Sequence, residues 1–236
     1  MADIGTTIVP VSGAGRVTLH ALADLQFGSK SCDTFLMKHE FQRVLDDPSG
    51  GMSVILGDLT DDDRPSTRDM RKAAFHARPE VQDADARDKK FFIDQKVIPM
   101  LLPLAQTKRG IIGVLAGHHW SYVRVKGPKT ETHPGGVHYV NSARYICDEL
   151  GRITKRRVPY LGIMSAWIRL VFRGQNRLHG PNRLHVMKTV HIQHGVGGGQ
   201  TLASALNKLE MTARWADADL LIRAHDCKLV AAKTVR

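Results

Sequence analysis

Cysteine is scarce in this chain. Cys32, Cys147 and Cys227 are its whole complement, and no two of them form a CxxC pair. An odd, sparse set excludes a disulfide framework and fits a reducing, cytoplasmic setting. Long apolar runs are missing too: nothing approaches the ~18 residues needed to span a bilayer, so no membrane association is expected. The opening MADIGTTIVPVSGAGR lacks the basic start and apolar core of a secretory signal. Acid is short in the second half. Residues 121–236 hold 19 Lys and Arg against 7 Asp and Glu, whereas residues 1–120 hold 15 against 16. Ten of those bases fall within 144–188, Arg144 and Arg173 among them, beside only Asp148 and Glu149. A one-signed face concentrates polyanions. The solvated surface of a basic protein has the same composition, so charge alone names no partner.

What is present is enough apolar residue, 42%, for one sizeable αβ core. Residues 1–16 read as an N-terminal extension and 17–236 as a single domain. Apolar runs predict strands at Val17–Ala23, Met52–Leu56, Ile111–Ala116, Val158–Gly162, Ala166–Arg173, Leu184–Gln193, Leu220–Arg223 and Leu229–Ala232. Helical spacing predicts helices from Asp33 to about Leu45, from Asp85 to Ala105 with interruptions at Pro99 and Pro103, from Val137 to Leu150, and from Thr201 to Trp215. The charged stretch 64–83 reads as a loop with a short helix, and 173–183 as a hairpin loop. Successive strands end in a carboxylate or histidine: Asp24, Asp58, His118 with His119, His194, and His225. In open αβ sheets ligands bind at the carboxyl edge, so such a series converges on one place. Carboxylates and imidazoles together are the donors of a divalent-metal site for phosphoester hydrolysis, where two ions ~3.5–4 Å apart activate water and neutralise the phosphoryl oxygens.

The ordered segments ADLQ (23–26), GDLTD (57–61), GHH (117–119), HGVGGGQT (194–201) and AHDC (224–227) resemble the motifs of the calcineurin-like metallophosphoesterases, particularly their phage and prokaryotic branch. The resemblance runs from about residue 17 to the end. It implies an α/β fold, a four-layer αββα sandwich of two mixed β-sheets, and a set of roles. Asp58 would bridge two metals; His118, His194 and His225 would complete one shell; Asp24, Gln26 and Cys227 would hold the other. His119 would contact the phosphate and protonate the leaving oxygen, with Asp61 supporting the second motif. Trp120, where the family often has an acid, would wall the cleft. The Gly-rich turn 195–200 follows the metal-binding His in that family, and it lacks the Lys-Ser/Thr ending of a P-loop.

The departures from the motif fall unequally on the two metals. Gln26 stands for His, His118 for Asn, Ala224 for Gly and Cys227 for His. One shell therefore keeps carboxylate and imidazole donors. The other is left with a neutral amide and a thiol, a set that favours Zn2+ over Mn2+ or Mg2+. One dependable and one doubtful divalent-metal site are expected. The chain stops nine residues after Cys227, which implies a core truncated there or closed by a minimal edge. The expected function is metal-dependent hydrolysis of a phosphoester substrate by a metal-activated water, with nucleic acid or another phosphodiester as a candidate and Arg144 and Arg173 as candidate substrate contacts. The alternative is a catalytically weakened protein of the same fold that binds nucleic acid. The other histidines, His191 among them, read as surface or satisfied core groups.

Overall fold

The computed structural model describes residues 6–12, 17–29, 32–60, 87–127, 136–173, 185–195, 202–225 and 230–233. The chain is mixed α/β, with its strands in separate sheets. The smaller parallel sheet has the order β2-β3-β4, from Leu19–Leu22 (β2), Met52–Leu56 (β3) and Ile111–Leu115 (β4). The larger is mixed, ordered β1-β7-β8-β9-β10, from Thr6–Ser12 (β1), Ser165–Arg173 (β7), His185–His194 (β8), Leu220–Ala224 (β9) and Val230–Lys233 (β10). A two-stranded antiparallel ribbon joins Tyr122–Lys126 (β5) to Val137–Asn141 (β6).

Every residue of β3 and of β4 is buried. Alternation sends them to opposite faces, as expected for a parallel sheet covered on both sides. Met52, Val54 and Leu56 of β3 pack with Ile168, Leu170, Ile192 and Ile222 of the larger sheet, forming a core between the two sheets. Ile55 faces the other way, into a second core with helices α1 (Thr34–Leu45), α2 (Ile98–Gln106) and α3 (Ser142–Thr154). Helix α4 (Leu202–Ala213) covers the outer face of the larger sheet, where Leu209 meets Leu221 and Trp167. No helix among the described residues is long and apolar enough to cross a membrane.

Helix starts follow local chemistry. The Asp33 side chain accepts from the N–H groups of Phe35 and Leu36, capping α1 where the sequence places it. A π-helical turn, Ile93–Val97, precedes α2 and ends with the Ile98 N–H bonded to the Ile93 carbonyl. Pro99 has no N–H for an ordinary helical bond, and the widened turn accommodates it.

Several expectations are corrected. The predicted helix Val137–Leu150 is a strand followed by a helix. Val137–Asn141 pairs with β5, a strand the sequence reading missed, and Asn141 caps α3 through the N–H groups of Ala143 and Arg144. Tertiary pairing of a β-branched, aromatic run overrides its helical spacing. Gly151 lies inside α3; the C-cap is Lys155, with φ 56°. Val158–Gly162 is not a full strand: Leu161 N–H donates to Val114, Val114 N–H to Pro159 and Ala116 N–H to Gly162, tying an extended segment to β4. Within the supposed extension 1–16, Thr6–Ser12 pairs in parallel with Trp167–Arg173 of β7. The stretch 64–83, Asp61, Cys227 and most of the Gly-rich turn lie outside the described residues.

Candidate metal centre

The strand ends are bound into register by their own backbones. Asp24 N–H donates to the Gly57 carbonyl, Gln26 N–H to Asp58, and Asp58 N–H to Ala116. The loops after β2, β3 and β4 are thereby laid side by side. His194 N–H donates to Met164, and Gly195 N–H to Ala224, joining the ends of β8 and β9. The loops turn sharply at left-handed residues. Asp24, Gln26, Asp58 and His225 have φ values of 51, 45, 50 and 83°, and outside glycine only Lys155 shares that region among the described residues. Non-glycine residues rarely adopt it, and clusters of them mark sites whose surroundings enforce the geometry.

Asp58 lies at the centre, fully buried. The N–H groups of His118 and His119 donate to its Oδ1 at 2.8 and 2.9 Å. Its Oδ2 has no hydrogen-bond partner. Around that atom stand His118 Nδ1 and His194 Nε2, each at 3.1 Å, and His225 Nδ1 at 3.6 Å. His194 Nδ1 is 2.8 Å from the Leu56 carbonyl oxygen, which can only accept, so Nδ1 carries the hydrogen. In neutral His194 the Nε2 lone pair therefore faces Asp58 Oδ2 and, at 2.9 Å, His118 Nδ1. Donor atoms packed this closely need a cation, proton or metal, between them.

Burial opposes the Asp58 charge, but the adjacent His194 imidazole, the His119 N–H and the His118 ring outweigh it and hold the carboxyl at about 2. Burial also pushes His118 down, to about 4; the attraction of Asp58 offsets this only partly, and the neighbouring imidazoles add to the fall. His118 is thus a neutral base near pH 7. Burial lowers His194 as well, but Asp58 more than compensates and its pKa is raised. Asp58, His118, His194 and His225 each offer one ligand atom, and these atoms all lie within 4.8 Å of one another. The four are positioned to hold a metal ion, and the buried, unbonded Oδ2 fits one.

Comparison with protein-family models, with curated proteins and with solved structures returned no match.

The remaining expected residues divide. Asp24 joins the rim: its Oδ2 accepts from the His225 N–H at 3.3 Å, and its Oδ1 is buried without a partner, 3.6 Å from His225 Nδ1. Gln26 is brought alongside by its backbone bond to Asp58. His119 borders the cluster, with Nε2 3.8 Å from Asp58 Oδ2 and its ring centroid 4.1 Å from that of His118. Arg144 is exposed in the first turn of α3, whose start is tied to the segment after His119 by the Ser142 N–H bond to the Ser121 carbonyl. Arg173 is not at the site. It pairs with His185, at the end of β8 opposite His194 and roughly 30 Å away at ~3.3 Å per residue. The glycines of the motifs leave room for the cluster: a Cβ on Gly57 would stand 2.6 Å from His194 Nδ1, and one on Gly117 would collide with Asp58 Oδ1.

Proposed function

We propose that this chain is a cytoplasmic, metal-dependent phosphoester hydrolase on a four-layer αββα sandwich. The observation that carries the reading is the buried Asp58 Oδ2, unbonded and ringed by three imidazole nitrogens from strand ends of both sheets. Packing of helices against the smaller sheet, of the two sheets against each other, and of α4 against the larger supports the layering. The bound ion, Mn2+, Zn2+ or Mg2+, would activate water and neutralise phosphoryl charge. Asp58 would hold it through Oδ2, since Oδ1 is taken by the His118 and His119 N–H groups. His118 and His194 present lone pairs, His194 being fixed in the right tautomer by Leu56. His119, which borders the cluster, would protonate the leaving oxygen. Asp24, the neutral amide of Gln26 and the thiol of Cys227 make a weak donor set for a second ion, so one dependable ion per chain is expected.

The decisive experiment is metal content by elemental analysis together with hydrolysis of bis-p-nitrophenyl phosphate and p-nitrophenyl phosphate. Metal-stripped protein regains activity with Mn2+ or Zn2+; Asp58→Ala loses both the ion and the activity. Folded, metal-loaded protein that is silent on every ester would instead favour a binding protein with a decayed site.

A further inference from the structure

We propose that a cavity between α3 and the β5–β6 ribbon binds a short peptide of apolar residues, held by both of its charged ends. The site shares no residue with the metal centre and does not depend on the hydrolase reading. The cavity measures about 610 Å³, within the range that takes small organic ligands. One wall is α3, where Tyr145, Asp148, Glu149, Arg152 and Ile153 recur at helical spacing on a single face. Val125, Lys126 and Val140 of the ribbon make a second. Lys90 and Asp94, ahead of α2, make a third, with Asp94 on the π-helical turn. Such turns are frequent at functional sites.

The base of the cavity is fixed by its own bonds. Tyr145 is buried, and its hydroxyl donates to Asp94 Oδ1 at 2.7 Å. Lys90 donates to the other Asp94 oxygen and lies over the Tyr145 ring, 5.0 Å from its centroid. Arg152 pairs with Glu149 at 2.8 Å. These bonds use four of the six charges that line the cavity. Lys126 and Asp148 are left over: among the described residues neither makes a hydrogen bond or an ion pair, with the other or with a third group. One cation and one anion on different walls suit a ligand with one charge of each sign. A phosphate or a polyamine would satisfy one and repel the other. A metal is no better matched, since among the described residues only the donors around Asp58 are gathered closely enough. Between the two charges the walls are apolar. Val125 and Val140 line the space, and Ile153, 39% exposed, presents apolar surface to it. Covering that surface favours an apolar side chain. A free amino acid carries its ammonium and carboxylate on one carbon. A dipeptide sets them a Cα step of ~3.8 Å further apart, and so can bridge two charges that do not meet.

The test is isothermal titration calorimetry of the whole protein with leucyl-leucine, its N-acetyl and C-amide derivatives, free leucine and glycylglycine. Leucyl-leucine should bind, and each blocked derivative should bind about three- to tenfold more weakly. Free leucine lacks the span and glycylglycine the apolar surface, so both should be weaker by at least as much. Asp148→Asn should bind leucyl-leucine and its N-acetyl derivative equally, and Lys126→Gln should do the same for the amide. Both positions are exposed, and an unchanged unfolding midpoint verifies that each variant is folded. The site is overturned by no binding of leucyl-leucine, by blocked forms or free leucine that bind as tightly, or by variants that discriminate as wild type does. Tighter binding of inorganic phosphate or spermidine overturns it too. Neither metal nor ester enters the readout, so its failure is separable from failure of the hydrolase reading.

Discussion

Asp24, Gln26, Asp58 and His225 carry their loops past the centre by turning through left-handed backbone, at a cost of about 1–3 kcal/mol each. The donors themselves were legible in the sequence because each ends an apolar strand. The left-handed turns were not, since nothing in the residue types of Gln26 or His225 announces a positive φ. Nor was the contact of His118 Nδ1 with His194 Nε2, which depends on two sheets meeting. The glycines make this crowding testable. Gly117→Ala adds a Cβ at φ 77° against Asp58 Oδ1. It should destabilise the protein by about 2 kcal/mol or more and weaken metal affinity at least tenfold, as read by denaturant titration and by metal competition. His191 was set aside as an ordinary surface or core histidine, yet it is 1% exposed with Nε2 unpartnered, its ring 4.7 Å from that of Trp167 and 5.2 Å from that of Trp215. Burial pushes its pKa down to about 4. The unfolded chain binds the proton near 6.5 and the folded one resists it. Stability is therefore whole above about pH 6.5 and falls, by roughly 3 kcal/mol, as pH drops toward 4. Urea titrations at the two ends of that window should show the loss, and His191→Phe should flatten it.

At the level of elements, strands buried on both faces were the easiest to read. Met52–Leu56 is found as predicted, because an apolar run broken only by Ser53 and bounded by glycines suits a covered parallel strand. The β5–β6 ribbon was the hardest, since VHYVN carries both alternation and helical spacing, and only its partner YVRVK decides between them. Asn141 closes the strand and opens the helix. It accepts from Ala143 N–H at 2.9 Å and Arg144 N–H at 3.3 Å. Replacing it with Ala should cost about 1 kcal/mol in thermal or chemical unfolding. Asn141→Asp or Asn141→Ser should recover most of that loss. A basic run in sequence likewise proved a poor guide to placement. Arg144 opens α3, while Arg173, in the same run, lies at the end of β7 away from the centre.

For the molecule as a whole, the centre is a junction. Asp58 and His118 follow strands of the smaller sheet, and His194 and His225 belong to strand ends of the larger. An ion held by all four couples the sheets, so it binds the folded protein and not the unfolded chain. At a hundredfold excess over its dissociation constant it should add about 2.7 kcal/mol, a rise in Tm on the order of 5–10 °C. Calorimetry with and without chelator reads that shift, and Asp58→Ala should abolish it. Alternation of strand and helix made the α/β class legible, but the division of strands between sheets was not, because β1 and β7 pair across most of the chain. The same separation governs how the protein matures. Asp24 and His225, whose groups touch at the rim, are 201 residues apart in sequence. A ribosome delivers the first donors long before the last, so no nascent chain can capture the ion in its finished geometry. An ion held by all four donors would load only after β9 is made, and the cell's ion supply would act on a chain already extended that far.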